Sequence, residues 1–410
     1  MEALLAQYGF GGLGGRSQQD DEEEEQPWVE EEEEAEEGEA AGLSFGADTA
    51  EVLRRIRSAT LWFVSQLCEG RLSDIQLVNQ APQADDSGSG TQPRPLRATA
   101  APQRCLSLLG RHPESAEQVA RLWVLLSLVH DQLMRGEQAT QRELWYKLKT
   151  CEVFRSPRDV GEAVQDAISL LQVPRSALGI TASSKGLVAG RLVIHDRRTG
   201  TETDCIVSGS GGVAIPGDIA RITGDYAFQT DAQLILVIEK DAVFQRLLQQ
   251  RFFDTAPCIL VTGKGVPDLA SRRVAFLSCL SSAFPNLPLV GLVDWNPAGC
   301  NILCIYRFGS QRMGLESPHY ALPALRWLGA RSGQLREADA DAFQELTARD
   351  RSQATNLAAS LATAAPEWAA ELQAMLASGS KAEIEALDTV GSAADLPDLL
   401  LRCLEQGDCI

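Results

Sequence analysis

The stretch LILVIEKDAVF, residues 234–244, decides the fold, because a short apolar run ends at charged residues and passes straight into a helical pattern. Continuous apolar runs of this length, each followed by a helix, are typical of buried strands in a parallel sheet. The pattern recurs downstream, with predicted strands at Leu234–Ile238, Cys258–Thr262 and Pro288–Val293 and predicted helices at Ala242–Phe252 and Pro267–Phe284. This β-α-β-α-β order predicts a parallel sheet covered on both faces, with ligand groups at the carboxyl ends of its strands.

Acidic residues follow two of these strands. Glu239 ends the first strand, and Asp294 ends the third and is followed shortly by Asn296. Two carboxylates at one sheet edge form a hard-oxygen site of the kind that suits Mg²⁺. On spacing alone the alternative stays open that Glu239 and Asp294 only cap the helices that follow them.

Glycine-rich loops offer a second possibility, an anion site. Residues 262–268 place Lys264 between two glycines, so backbone amides and a positive charge could approach a phosphate. The order of lysine and glycine does not fit a Walker motif, and residues 209–212 lack the spacing of a dinucleotide fingerprint. A Rossmann-type nucleotide-binding enzyme is therefore disfavoured, and either loop could be a simple tight turn.

Upstream of this domain, a capping box predicts a helix that carries a possible nucleophile. Thr140 and Glu143 have the spacing of that box, which places Arg142 and Tyr146 four residues apart on one helical face. A neighbouring guanidinium favours the phenolate and can also bind phosphate, as a tyrosine that attacks phosphorus requires. The alternative is a tyrosine that simply packs in the core.

The elements around this helix predict a winged helix. Helices are predicted at residues 114–133, from Thr140, and from Ser156 to about Leu171, and strands follow at residues 187–194 and 203–207. The two strands are predicted to form a hairpin with a basic tip at Arg197 and Arg198. Three helices and a hairpin form the outline of a reader of duplex DNA.

Charge is distributed unevenly along the 410 residues. The net charge is -19, yet residues 100–330 carry 24 basic and 21 acidic side chains. Residues 1–46 include a block of acids and should form a disordered tail. Residues 47–75 predict an amphipathic helix that docks either on the body or on another protein, and residues 76–103 predict a linker. No run is long and apolar enough to span a membrane, and neither a secretory signal nor a zinc motif is expected.

Six ordered motifs resemble those of one family, the DNA topoisomerase VI A subunits and their eukaryotic relatives, the meiotic double-strand-break transesterases. The resemblance covers about residues 100–330, more than half of the chain. Residues 142–146 resemble the motif that carries the tyrosine of this family. The other matching blocks are residues 184–190, 214–219, 237–244, 262–268 and 292–299.

The resemblance implies an α/β multidomain protein with a winged-helix catalytic domain at residues 104–215. A Rossmann-like Toprim domain would follow at residues 216–335, and residues 336–410 would form a helical region. It also implies a nuclear, Mg²⁺-dependent transesterase that breaks duplex DNA as a homodimer or as a heterodimer with a paralogue. The tyrosine of one subunit would meet the metal site of the other, and the helix at residues 47–75 would dock a transducer-like B subunit.

The roles implied by the family can be carried over to matching residues. Tyr146 would be joined to a 5′ phosphate, Arg142 would assist at the phosphate, and Glu239 and Asp294 would hold the metal. Asn296 replaces a second aspartate, so it would offer only a neutral oxygen to the ion. Its motif resembles the second of the paralogue groups found in some eukaryotes, which favours a meiotic role.

Positive charges of the central region are expected to bind the DNA backbone. The candidates are Lys185, Lys264, Arg155, Arg158, Arg175, Arg197, Arg198, Arg272 and Arg273. Two alternatives stay open beside the meiotic enzyme. One is a topoisomerase VI A subunit that acts with an ATPase B subunit, and the other is a catalytically silent, DNA-binding scaffold.

Overall fold

The computed structural model describes residues 43–71, 74–78, 103–109, 113–181, 186–207, 211–264, 271–309, 315–316, 321–390 and 395–410. The acidic block, the middle of the expected linker and Lys185 lie outside these ranges, as do the side chains of Arg272 and Arg273. Among the described residues, no helix is both long and apolar enough to cross a membrane.

The first hydrophobic core is mainly helical. It is built from α1 (Thr49–Cys68), β1 (Ile75–Val78), β2 (Gln103–Leu106), α2 (Pro113–Met134), β3 (Ala139–Thr140), α3 (Gln141–Leu148), α4 (Pro157–Leu171) and β4 (Ile180–Thr181). The three helices α2, α3 and α4 are those expected from the sequence. The capping box that begins α3 is present, so the sequence signal correctly located this helix.

The predicted amphipathic helix and the ends of the predicted linker are part of this core. In α1, Val52 and Ile56 are buried, and the Arg55 guanidinium donates a hydrogen bond to the Leu171 carbonyl at 2.9 Å. The ends of the expected linker pair as the antiparallel strands β1 and β2, with Ile75 opposite Leu106. The described apolar side chains of these two strands are buried. Helix α1 packs on the body through its first half.

The second core surrounds a mixed sheet. It contains β5 (Leu187–Gly190), β6 (Val193–Asp196), β7 (Thr201–Asp204), β8 (Val213–Ala214), α5 (Ile219–Gly224), β9 (Tyr226–Gln229), β10 (Leu234–Ile238), α6 (Asp241–Gln249), α7 (Phe252–Thr255), β11 (Cys258–Thr262), α8 (Ser271–Ala283), β12 (Leu289–Leu292), α9 (Pro297–Phe308) and β13 (Arg326–Gly329). The expected β-α-β-α-β order is confirmed at β10 to β12.

The order of the main sheet is β13-β12-β10-β11-β5-β8. The strands β13, β12, β10 and β11 are parallel, whereas β5 and β8 are antiparallel additions, so the expected parallel sheet is mixed. The chain leaves β10 for β11 on one side and then crosses to β12 on the other side. The carboxyl ends of β10 and β12 therefore form the switch point at which such sheets place their ligands.

The predicted hairpin exists, but it belongs to the second core rather than to the helices. Strands β6 and β7 pair around the turn at residues 197–200, and β9 joins them in a separate three-stranded sheet. The run predicted as one strand breaks at Gly190, whose φ of +92° and close approach to the Cys258 carbonyl leave no room for a side chain. The division between the two cores thus falls between residues 181 and 187, upstream of the expected boundary at 215.

The region after residue 335 completes the second core. It contains β14 (Phe343–Glu345), α10 (Ala348–Leu361), α11 (Pro366–Ser378), β15 (Ser380–Ala382) and α12 (Leu396–Glu405). Ala382 forms a bridge with Trp295, next to Asp294. This mostly helical region is therefore an integral part of the sheet domain and not a separate appendage.

The two halves of α1 should respond differently to truncation. Ile56→Ala should lower the free energy of unfolding of the first core by about 2–5 kcal/mol, because Ile56 is 4% exposed and its loss leaves a cavity. Native-state hydrogen exchange of the amides in α2 and α4 measures the change.

Leu61→Ala, in the same helix, is the matched control. Leu61 is 70% exposed, so this change should stay within about 0.5 kcal/mol. Equal effects of the two substitutions would contradict the packing of α1 on the body.

Candidate functional site

Helix α3 presents Arg142 and Tyr146 to solvent. Leu144 and Leu148 on the opposite face are buried in the first core and hold the helix in place. The Thr140 hydroxyl accepts a hydrogen bond from the Glu143 amide at 3.2 Å, which fixes the first turn. Tyr146 is 50% exposed, so the alternative of a tyrosine packed in the core does not describe it.

The Arg142 guanidinium contacts the Tyr146 phenol directly. Its Nη2 and Nε atoms donate to the phenol oxygen at 3.2 and 3.4 Å, and the Lys149 ammonium lies 5.2 Å from the ring centroid. The hydrogen bond from Arg142, followed by its positive charge, lowers the pKa of Tyr146 below its usual range. This pair can supply a phenolate beside a cation that is able to bind phosphate.

Glu239 and Asp294 meet at the switch point of the sheet. The pairing of Ile238 with Leu292 aligns the two strand ends, and the Asp294 amide donates a hydrogen bond to Glu239 Oε2 at 2.9 Å. Burial, with a contribution from the negative charge of Asp294, raises the pKa of Glu239 to about 7. Burial also raises the pKa of Asp294, although the Ile384 amide and the Lys240 ammonium oppose that shift. Such a pair is unfavourable when both groups are charged, unless a cation is nearby.

Three charged residues that the sequence reasoning did not select surround this pair. The Lys240 ammonium lies 3.2 Å from Asp294 Oδ1, 2.9 Å from Glu383 Oε2 and 2.6 Å from Glu385 Oε2. Lys240 directly follows Glu239, so its proximity was available from the sequence. Glu383 and Glu385 lie on either side of Ile384 where a 3-10 helix begins, and both contact the same ammonium. Nothing local, however, links them to a strand more than a hundred residues upstream.

Asn296 has a different environment from the one expected of a metal ligand. Its Oδ1 accepts a hydrogen bond from the Gly299 amide at 2.7 Å and so caps helix α9. Its Nδ2 lies 3.5 Å from Asp294 Oδ2. The amide oxygen predicted to face an ion is therefore used by the helix, and Asn296 instead contacts one of the carboxylates.

The donor set of this site suits a hard cation. Within the described part of the chain, no group of three or more His, Cys, Asp or Glu side chains has the arrangement of a metal cage. Both carboxylates nevertheless have raised pKa values, so the Lys240 ammonium that lies against Asp294 compensates their charge only in part. Mg²⁺ is commonly held by one or two carboxylates plus water and phosphate, so Glu239 and Asp294 fit this ion.

The described candidates for DNA binding are mostly exposed and partly paired. Lys264 has a left-handed backbone with φ of +54°, and its ammonium lies 3.2 Å from Asp241 Oδ2. Arg158 pairs with Glu162, and Arg198 pairs with Asp225. The exposed tip of the β6–β7 hairpin carries Arg197 and Arg198. These weak surface pairs can be exchanged for phosphate at low cost.

Arg175 is an exception among the expected DNA-binding residues. It is 3% exposed, and its backbone amide and side chain both donate to the buried carboxylate of Glu316, at 2.9 and 2.7 Å. An arginine in such a pair is not available to a phosphate. The expectation for Arg175 was therefore wrong, because its charge compensates a buried acid.

Comparisons with known proteins match both cores. Residues 234–398 match the family model for the Toprim domain of Spo11 and the topoisomerase 6 A subunits, and residues 117–180 match the one described as type IIB DNA topoisomerase. The chain is 38% identical over 396 residues to the meiotic recombination protein SPO11-2 of Oryza sativa subsp. japonica, covering 92% of this chain and 100% of that protein. Human meiotic recombination protein SPO11 is 36% identical, with 68% of this chain and 69% of that protein covered. The DNA topoisomerase 6 A subunit of Arabidopsis thaliana is 36% identical, with 65% and 61% covered.

Replacing Arg142 should move the titration of one tyrosine. In Arg142→Gln, the pKa of Tyr146 should rise toward its ordinary value near 10, because both the hydrogen bond and the positive charge are lost. The phenolate will then form at higher pH than in the unchanged protein. Ultraviolet absorbance of tyrosinate, recorded against pH, measures the shift.

Two further variants assign the signal. Tyr146→Phe removes the contribution of this phenol from the titration, and Arg142→Lys retains a cation and should give a smaller shift. Identical curves for Arg142→Gln and the unchanged protein would show that the guanidinium does not act on the phenol.

Proposed function

Because the chain belongs to the family of Spo11 and the topoisomerase 6 A subunits, as its motifs predicted, we propose that it is a DNA-breaking transesterase that forms meiotic double-strand breaks and so initiates recombination. The observation that carries the proposal is the 3.2 Å hydrogen bond from Arg142 to the phenol oxygen of Tyr146 on an exposed helical face. An exposed phenol with a lowered pKa beside a guanidinium has the chemistry of a nucleophile for phosphorus.

In the proposed reaction, the Tyr146 oxygen attacks a phosphorus atom of the DNA backbone. A bond forms between the phenol oxygen and phosphorus while the bond from phosphorus to the 3′ oxygen breaks. The phenol proton is lost to solvent, and the leaving oxygen takes up a proton to become a 3′ hydroxyl. Arg142 stabilises the phenolate and the phosphate charge, and the 5′-phosphotyrosyl link retains the energy of the broken ester.

Glu239 and Asp294 would hold Mg²⁺ at the second part of the site. Bound there, the ion supplies positive charge to the phosphate oxygens during transfer. Asn296 contributes by capping α9 and contacting Asp294 rather than by offering its own oxygen. Its place in the metal site is thus to orient Asp294.

Duplex DNA would be bound by the exposed basic residues of both cores. We assign phosphate contacts to Lys264, Arg158, Arg197 and Arg198, together with Lys185 outside the described residues. The family resemblance implies a homodimer, or a heterodimer with a paralogue, in which Tyr146 of one subunit meets Glu239 and Asp294 of the other. Breaking both strands then requires two such composite sites.

A meiotic role is favoured over replication-linked strand passage by the extent of similarity. The match to the rice meiotic recombination protein spans that protein's full length, whereas the match to the Arabidopsis topoisomerase 6 protein covers 61% of it. Such a role places the protein in the nucleus.

Covalent attachment to DNA tests this proposal. Protein isolated from meiotic cells under denaturing conditions should carry short oligonucleotides whose 5′ phosphate is joined to Tyr146. Tyr146→Phe should remove this DNA entirely, since no other oxygen on α3 has the arginine contact. Labelling of the free 3′ hydroxyl and mass spectrometry of the linked peptide measure the adduct.

Tyr226→Phe is the matched control, because Tyr226 lies in strand β9 and not on α3. This variant should keep the adduct, and Glu239→Gln should reduce it at least about a hundredfold through loss of metal assistance. Unchanged DNA attachment in Tyr146→Phe would refute the role of this residue. Absence of any adduct in the unchanged protein would favour the silent scaffold.

A transducer-like B subunit is the proposed partner of α1. The second half of this helix leaves Leu61, Trp62 and Val64 at least 43% exposed. Deleting the helix would be a poor test, because Val52 and Ile56 support the first core. Substitutions confined to the exposed side chains separate docking from folding.

The double variant Leu61→Ser/Trp62→Ser should weaken co-purification with the B subunit at least about tenfold, since a buried interface tryptophan is worth roughly 2 kcal/mol or more. DNA binding should stay unchanged, because neither residue carries charge. Val207→Ser, at another exposed apolar position, is the control and should retain the partner. Equal partner recovery with all three proteins would exclude this face as the docking surface.

A further inference from the structure

Lys240 is held as a bound cation within the acidic cluster. Its side chain is 23% exposed, and its ammonium is within 3.2 Å of carboxylate oxygens from Asp294, Glu383 and Glu385. An ammonium has three protons to donate, and each can be directed to one of these carboxylates. The lysine is therefore fixed by acids from two distant parts of the chain.

The hydrogen bonds of the cluster divide its oxygens into two groups. Asp294 Oδ1 accepts from the Ile384 amide and faces Lys240, and Glu239 Oε2 accepts from the Asp294 amide. Within the described residues, this leaves Glu239 Oε1 and Asp294 Oδ2 to face a metal ion, and the contact of Asp294 Oδ2 with the Asn296 amide is a long 3.5 Å. Two carboxylate oxygens are enough for one Mg²⁺ that keeps waters or takes phosphate oxygens.

We propose that Lys240 is a positioning residue that occupies the place of a second cation and limits the site to a single divalent ion. Glu383 and Glu385 hold the ammonium on their side of Asp294, so the divalent ion binds on the side of Glu239. This inference rests on the proposed function of Glu239 and Asp294 as metal ligands, and it adds three residues to the same site.

Charge balance explains why the lysine has this effect. Without the ammonium, Asp294 Oδ1 and the two glutamates would lose the cation that all three contact, and like charges at this distance repel. A divalent ion supplies the missing charge with the same oxygen ligands. Lys240→Met, which keeps most of the length of the side chain and loses its charge, should therefore open a second ion position.

Binding of Mn²⁺ tests the proposal without any DNA cleavage. Mn²⁺ accepts the same oxygen ligands as Mg²⁺, and the paramagnetic resonance signal of the free ion counts what the full-length chain has bound. Ions that bind to the acidic N-terminal block are subtracted with the variant Glu239→Gln/Asp294→Asn. By this difference, the unchanged protein should bind one ion and Lys240→Met two. Adding Glu383→Gln/Glu385→Gln to Lys240→Met should restore one.

Each remaining outcome has a defined meaning. Lys240→Arg keeps the charge and should bind one ion. One ion in both Lys240→Met and Lys240→Gln would overturn the inference and leave the metal site intact, whereas no specific ion in the unchanged protein would overturn the metal site itself. Circular dichroism checks folding. If both neutral variants unfold while Lys240→Arg folds, the ammonium stabilises the fold rather than occupying the position of a second ion. The inference is then refuted.

Discussion

The parallel pairing of β10 with β12 is the constraint on which the candidate metal site depends. The two strands are separated in sequence by β11 and its helices, yet the crossover makes them neighbours and aligns Ile238 with Leu292. The residues that follow each strand then meet, and the Asp294 amide bonds to Glu239. A one-residue shift in this register would direct one of the two side chains to the other face of the sheet.

Placing two acidic side chains close together in a partly buried site costs electrostatic free energy. The rest of the domain reduces this cost. The Ile384 amide and the Lys240 ammonium both contact Asp294 Oδ1, and the residues that hold Lys240 belong to the C-terminal region. Trp295 joins that region as well, because its indole donates to Glu371 and its backbone bridges to Ala382. The C-terminal region thus takes part in the site by setting the charge around its carboxylates.

Local sequence signals predicted the elements that carry the site. Long-range packing decided which core each element joins and which distant residues meet. The capping box located α3 and set Arg142 beside Tyr146, because spacing within a helix fixes that geometry. The apolar runs located β10, β11 and β12 for the same reason. The hairpin was found, but its assignment to the helical core was wrong, because Gly190 turns the chain from one sheet into another and nothing local reveals which core receives it. Likewise, only the tertiary fold brings Glu385 to Lys240.

The two parts of the proposed site differ in solvent exposure, and this difference has a chemical consequence. Tyr146 is half exposed, so water screens part of its interaction with Arg142, whereas Asp294 is buried and Glu239 is partly buried. A DNA duplex laid over α3 would exclude water from the phenol and strengthen its interaction with Arg142. The same duplex would bring phosphate oxygens to a cation held by the two acids. The proposed nucleophile is therefore expected to reach its full reactivity only when DNA covers it.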